Sequence, residues 1–138
     1  MSNPMSEQPG YALKRASGYM LSRLNSRLAA HDLRHAEAAV IVMISENGGI
    51  TPTDLGRTLG IQSANMAPLI TRLFKRDLIV KVPLDRKSYG LHLSPKGESV
   101  VQHVTEAMEA EENYLKSRIT QEMLPMFKEA LDRIWREG

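Results

Sequence analysis

Arg86 and Lys87 lie side by side in the stretch PLDRKSYGLHLSPKG, Pro83 to Gly97, with Asp85 just before them and short apolar runs on either side. Cations at the tip of a hairpin can neutralise phosphates or enter a minor groove, where a narrow A·T-rich tract concentrates negative potential. The carboxylate of Asp85 cannot favour phosphate. Its expected task is to hold Arg86 through a charge-assisted hydrogen bond. A solvated turn with no nucleic-acid role is the alternative. Upstream, Gln62, Ser63 and Asn65 precede Arg72 and Lys75 within IQSANMAPLITRLFKR. Asn and Gln amides can pair bidentately with adenine, and a Ser hydroxyl serves several bases. Arg72 and Lys75 suit phosphates or outer bases. Gln62 and Ser63 also stand where a helix cap would, a role compatible with base contact.

Other chemistries find less support. Cysteine is absent, which removes disulfides, thiolate metal sites and thiol-based redox sensing. His31 and His35 have the four-residue spacing of a metal pair on a helix, but HDLRH reads as a helix junction and no third ligand is evident. No metal or cofactor is therefore expected. There is no H-E-x-x-H, no phosphate-cradling Gly-rich loop and no nucleophile–base constellation, so the chain does not read as an enzyme. Met43, Met66 and Met108 fall on apolar faces and read as core.

Charge supports a polyanion partner. Net charge is only +2 at pH 7. Residues 1–47 carry +1, residues 48–98 carry +4 and residues 99–138 carry −3. The positive excess thus falls on the segment that holds the candidate contacts. The 138 residues suffice for one compact domain but are tight for two. No run approaches the ~18 apolar residues of a membrane span, no secretory signal opens the chain, and the cytoplasm is the expected compartment. MSNPMSEQPG, residues 1–10, reads as a disordered tail.

The elements that would position these groups can be read from apolar spacing. Leu13, Ala16, Met20, Leu21, Leu24 and Leu28 define one face of a first helix. Ala36 to Gly49 is a second, more buried helix with an Asn-Gly-Gly stop. Thr51, Pro52 and Asp54 form an N-terminal signature for a third, which Gly60 ends. A turn at GIQS leads to a helix over 63–76, with Met66, Leu69, Ile70 and Leu73 on its inner face. Helix, short turn and basic helix have helix-turn-helix spacing. LIVKVP and GLHLS follow as two strands, so a hairpin comes directly after the basic helix, as in a winged helix. Ser94 and Pro95 open a long helix, and a last one carries Phe127, Leu131, Ile134 and Trp135. The predicted fold is mainly α with a small β-hairpin. Residues 35–97 form the winged helix-turn-helix. Residues 11–34 and 98–138 supply flanking helices whose apolar surface exceeds what one small domain can cover, so a second copy should cover it.

The stretch ITPTDLGRTLGIQSANMAPLITRLFKRDLIVKVPLDRKSYGLHLSPKGESVV resembles the MarR family of bacterial transcription regulators. The likeness rests on the helix-turn-helix, on L-x-K-R-x-L-I at Leu73–Ile79, and on the wing D-R-K…L-x-L-S-P-K-G at Asp85–Gly97. Asp85, Arg86, Lys87, Leu93, Ser94 and Gly97 fit the family wing. With the flanking helices it extends over about residues 11–136. The resemblance implies a homodimer with interleaved terminal helices. It implies binding to a pseudo-palindromic double-stranded DNA operator, most often as a repressor. It further implies release by a small anionic or aromatic effector bound between dimer helices and winged helix. Arg23, Arg27, Arg34 and His35 lie near where that pocket forms, and an Arg there could pair with a ligand carboxylate. For any one of them a solvated basic face or inter-subunit salt bridges is the preferred reading. Pro68 departs from the family, since many members carry an Arg near this position. Pro inside a helix costs about 3 kcal/mol and removes one hydrogen bond, which packing can offset. A protein-binding winged helix without DNA contact is the competing reading.

Overall fold

The computed structural model describes residues 1–136, and the last two residues of the predicted C-terminal segment lie outside it. Six α-helices and one hairpin occur among them: α1 Pro9–Leu28, α2 His35–Glu46, α3 Pro52–Leu59, α4 Ser63–Lys75, β1 Ile79–Pro83, β2 Tyr89–Leu93, α5 Pro95–Arg118 and α6 Leu124–Trp135. The expected boundary at Tyr11 moves to Pro9, because Pro is suited to the first helical position, where no amide donor is needed. Residues 1–8, expected to be a disordered tail, contain turns, and Asn3 Nδ2 donates to the Tyr11 hydroxyl at 2.9 Å. HDLRH is the junction its sequence suggests. A 3-10 turn at Ala29–His31 ends with Asp32 in the left-handed region at φ 54°.

Local chemistry sets the remaining boundaries. The Thr51 hydroxyl accepts from the Asp54 amide at 3.2 Å and opens α3. Gly60, at φ 69°, closes it in a left-handed conformation that costs Gly little. The Ser94 hydroxyl accepts from the Gly97 amide at 3.0 Å and opens α5. A Cβ at Gly97 would run into the Leu78 carbonyl, which accounts for the glycine at the end of S-P-K-G.

The core is assembled around α2, whose Val40, Ile41 and Ile44 are fully or almost fully buried. Leu28 and Leu33 close one side; Leu55, Met66, Leu69, Ile70 and Leu73 come from α3 and α4; Val104 and Ala107 come from α5. The strands pair antiparallel from Ile79↔Leu93 to Pro83↔Tyr89. Ile50 adds a bridge to Leu91 on the other edge of β2: the Leu91 amide donates to the Ile50 carbonyl and the Gly49 amide to the Leu91 carbonyl, both at 2.8 Å. The α2–α3 link thereby fixes the base of the wing against the helix-turn-helix. Among the described residues no helix is long and apolar enough to cross a membrane.

Candidate nucleic-acid interface

Helix α4 buries Met66, Leu69, Ile70 and Leu73 at three- and four-residue steps. Its opposite face leaves Gln62, Ser63, Ala64, Asn65, Ala67, Pro68, Thr71, Arg72 and Lys75 exposed. Gln62 occupies the N-cap position, but its side chain makes no capping hydrogen bond. The amide is therefore left for solvent or a ligand, and the competing cap role falls away for this residue. Ser63 is the first helical residue. Helix α4 runs through Pro68 without interruption, and the residue lies on the exposed face, where the carbonyl it fails to bond can reach water.

The wing places Arg86 and Lys87 at an exposed tip, as expected, but Asp85 acts differently from the sequence expectation. Its Oδ1 accepts from the backbone amides of Lys87 at 2.8 Å and Ser88 at 2.9 Å. No ion pair joins Asp85 to Arg86 among the described residues. The carboxylate closes an Asx-type turn, a local geometry that competes well with holding a flexible guanidinium in water. These bonds, the Lys87 amide first and the Ser88 hydroxyl and amide after it, hold the Asp85 carboxyl below its ordinary pKa. Arg86 is thus free to reach outward. The wing also contains a cation that sequence reading passed over: Lys81 Nζ lies 5.2 Å from the Tyr89 ring centroid. With Arg86, Lys87 and Ser88 these residues line a shallow cleft.

Arg72 and Lys75 separate in character. Lys75 is exposed, whereas Arg72 Nε lies 3.6 Å from Glu37 Oε2 with 55% of its side chain still accessible. Glu37 is buried at the start of α2, and its Oε1 accepts from the Arg34 amide at 3.0 Å.

The four candidate effector residues do not form one site. Arg23 Nε and Arg27 Nε both donate to Glu111 of α5, at 2.8 and 2.5 Å. Arg23 also lies over the Tyr114 ring, 3.7 Å from its centroid. Glu111 is buried, and burial raises the pKa of its carboxyl. Hydrogen bonds from Arg27 and Arg23 more than reverse this and leave it below the ordinary range. Arg34 and His35 lie elsewhere, at the start of α2, where the His35 amide donates to Asn25 Oδ1 at 2.8 Å. His31 does not face His35 but stacks on His103 of α5, with centroids 4.4 Å apart. No group of three metal-ligating side chains occurs among the described residues. No sequence signal paired Glu111 with arginines more than eighty residues away, since acidic residues crowd that part of α5.

Together, the buried inner face of α4, its polar outer face and the braced cationic hairpin define a winged helix-turn-helix. The MarR family model matches residues 33–89, from the residues before α2 to the first residue of β2. No curated protein matches the chain in sequence. Solved structures do. Transcriptional repressor CouR bound to a 23-mer DNA duplex is 27% identical, covers 99% of this chain and 100% of its own, and has a TM-score of 0.87. CouR bound to p-coumaroyl-CoA is 25% identical, covering 100% and 99%, also at TM-score 0.87. The S. aureus MepR–DNA complex, at 19% identity and TM-score 0.85, covers 92% of this chain and 95% of its own and is a likeness of fold. Over the described residues the chain therefore shares the fold of these transcription regulators.

Proposed function

We propose that the protein is a homodimeric MarR-type regulator that binds a pseudo-palindromic operator, represses from it, and is released by a small anionic or aromatic ligand. The observation that carries the DNA reading is the wing, where Asp85 spends both hydrogen bonds on the turn and leaves Arg86 and Lys87 free. Gln62, Ser63 and Asn65 would meet base edges in the major groove. Arg72, Lys75 and Lys81 would neutralise phosphates, and Arg86 would enter the minor groove.

The dimer reading rests on α6. This helix makes no extensive packing contact with any other element. It is also too short, at 12 residues, to be stable alone in water. Phe127, Leu131, Ile134 and Trp135 face an apolar groove shared with Leu13 and Met20 of α1, and a second copy would cover it. The ligand reading is supported by an open cleft lined by Asn25, Arg34, Glu37, Arg72 and Arg76, where a carboxylate would meet guanidinium groups beside α4. Arg23 and Arg27 contribute less to it, because Glu111 already occupies them.

The deciding experiment is a fluorescence-anisotropy titration against the DNA upstream of the protein's own gene and against a scrambled duplex, at two salt concentrations. Selective, salt-sensitive binding is expected, and its salt slope counts the phosphates neutralised. Absence of binding to either duplex at either salt would defeat the reading.

A further inference from the structure

Two arginines one helical turn apart, Arg72 in α4 and Arg76 at its C-cap, both approach Glu37 but differ in what else they hold. Arg72 has 55% of its side chain exposed and, among the described residues, forms an ion pair with Glu37 alone, whereas Arg76 at the end of the same helix turns inward, with 29% exposed. We propose that Arg76 is a positioning residue, which sets the angle of α4 by clamping its last turn to the α1–α2 junction. The proposal rests on the DNA-binding reading for its consequence, but not for its geometry.

Arg76 Nη1 donates to the Asp32 carbonyl at 2.5 Å and Nη2 to the His31 carbonyl at 3.0 Å. These carbonyls belong to the end of a 3-10 turn, where helix-type partners run out and an outside donor is needed. Two of the five donors of a planar guanidinium fit two successive carbonyls, and an ammonium on a flexible stem does not reproduce that fork. The Glu37 carboxylate lies 4.0 Å from Nη1 and adds charge complementarity. The end of α4 is also held from its other side by the start of α5. Lys96 Nζ donates to the Arg76 carbonyl at 3.1 Å, the Ser94 hydroxyl donates to the Asp77 carbonyl at 2.5 Å, and the Ser94 amide donates to the Leu78 carbonyl at 3.0 Å. The junction also touches α5, through the His31–His103 stack. A continuous set of contacts thus runs from α5 through His103, His31 and Arg76 to the end of α4. A shift of α5 or the junction would tilt the helix that carries Gln62, Ser63 and Asn65.

The test uses the full-length protein and three variants: Arg76→Lys, Arg76→Gln and Arg72→Gln. Operator affinity is measured across a salt series, and amide hydrogen exchange is followed on the free protein. Both Arg76 variants should weaken operator binding about tenfold or more, the scale of a misplaced bidentate base contact. Their salt slope should match that of the original protein. Arg72→Gln should instead lower the slope by about one. Exchange over residues 72–78 should accelerate in the Arg76 variants and not in Arg72→Gln. Arg76→Lys binding as tightly as the original protein, or Arg76→Gln losing a unit of slope, would make Arg76 a phosphate contact and overturn the proposal. Unchanged exchange in Arg76→Lys would overturn it too, and that variant decides the matter if Arg76→Gln does not fold. If the original protein binds no DNA, the regulator reading fails, while the exchange comparison still decides whether the clamp exists.

Discussion

Leu73 on α4 and Trp135 on α6 are both large apolar residues on one face of an amphipathic helix. Leu73 is completely buried, and Trp135 is 67% exposed. The same contrast holds for their surroundings. The segment from Leu28 to Ala107 contains every residue of the buried core, whereas α6 contains none and α1 only Leu28. The winged lobe closes its hydrophobic core with Leu28 and Leu33 before it and Val104 and Ala107 of α5 after it. The outer helices share an apolar groove that no other element covers among the described residues. Amphipathic pattern alone does not tell these situations apart, because it records that a face must be buried but not against what.

Leu73→Ala should break the first half of the contrast most severely. It empties a fully enclosed site between α4 and the core, and a loss of about 2–5 kcal/mol in urea unfolding is expected. Ile134→Asp should break the second half. It places a charge in the apolar groove, so light scattering should report a monomer, with a cost of about 2 kcal/mol or more to association. The helical circular-dichroism signal of the monomer should be retained. A dimer that survives Ile134→Asp would mean that the outer helices meet a different partner.

Smaller changes sharpen the division of labour within the wing. Arg86→Ala should weaken operator binding by at least several-fold, about 1 kcal/mol, while the dimer remains intact. Asp85→Ala should weaken it too, by releasing the turn, but without lowering the salt slope as Arg86→Ala does. The mildest effect is one of pH. Glu111 has a folded pKa below its ordinary value of 4.5, so its pairing with Arg23 and Arg27 contributes stability in full above that value. The contribution disappears as pH falls through the lowered folded pKa. A stability profile for Glu111→Gln should lack this acid-side decline, and an identical profile would contradict the assignment.

Much of the winged lobe was legible in the sequence because its signals are local. Thr51 and Ser94 cap the helices that they immediately precede, and Gly60 ends the helix that it immediately follows. The inner face of α4 was readable from spacing over about two turns. The wing motif D-R-K…S-P-K-G placed the cations correctly, but it misassigned the partner of Asp85. The true partners, the amides of Lys87 and Ser88, are backbone groups that every sequence possesses. The bridge from Ile50 to Leu91 was equally hidden, since one residue carries no strand periodicity.

The sequence by itself determined the order of elements, where most of them begin and end, and which residues of α4 and the wing remain available to a polyanion. Those outcomes depend on neighbours within a few positions, where backbone geometry and side-chain chemistry act directly. Tertiary structure decided how the arginines are used. It assigned Arg23 and Arg27 to Glu111 and Arg76 to the carbonyls of His31 and Asp32, and it gave Arg86 no ion-pair partner among the described residues. A guanidinium is long, always charged and able to pair with any carboxylate or carbonyl it reaches. Which one it reaches is fixed only when helices distant in sequence pack together.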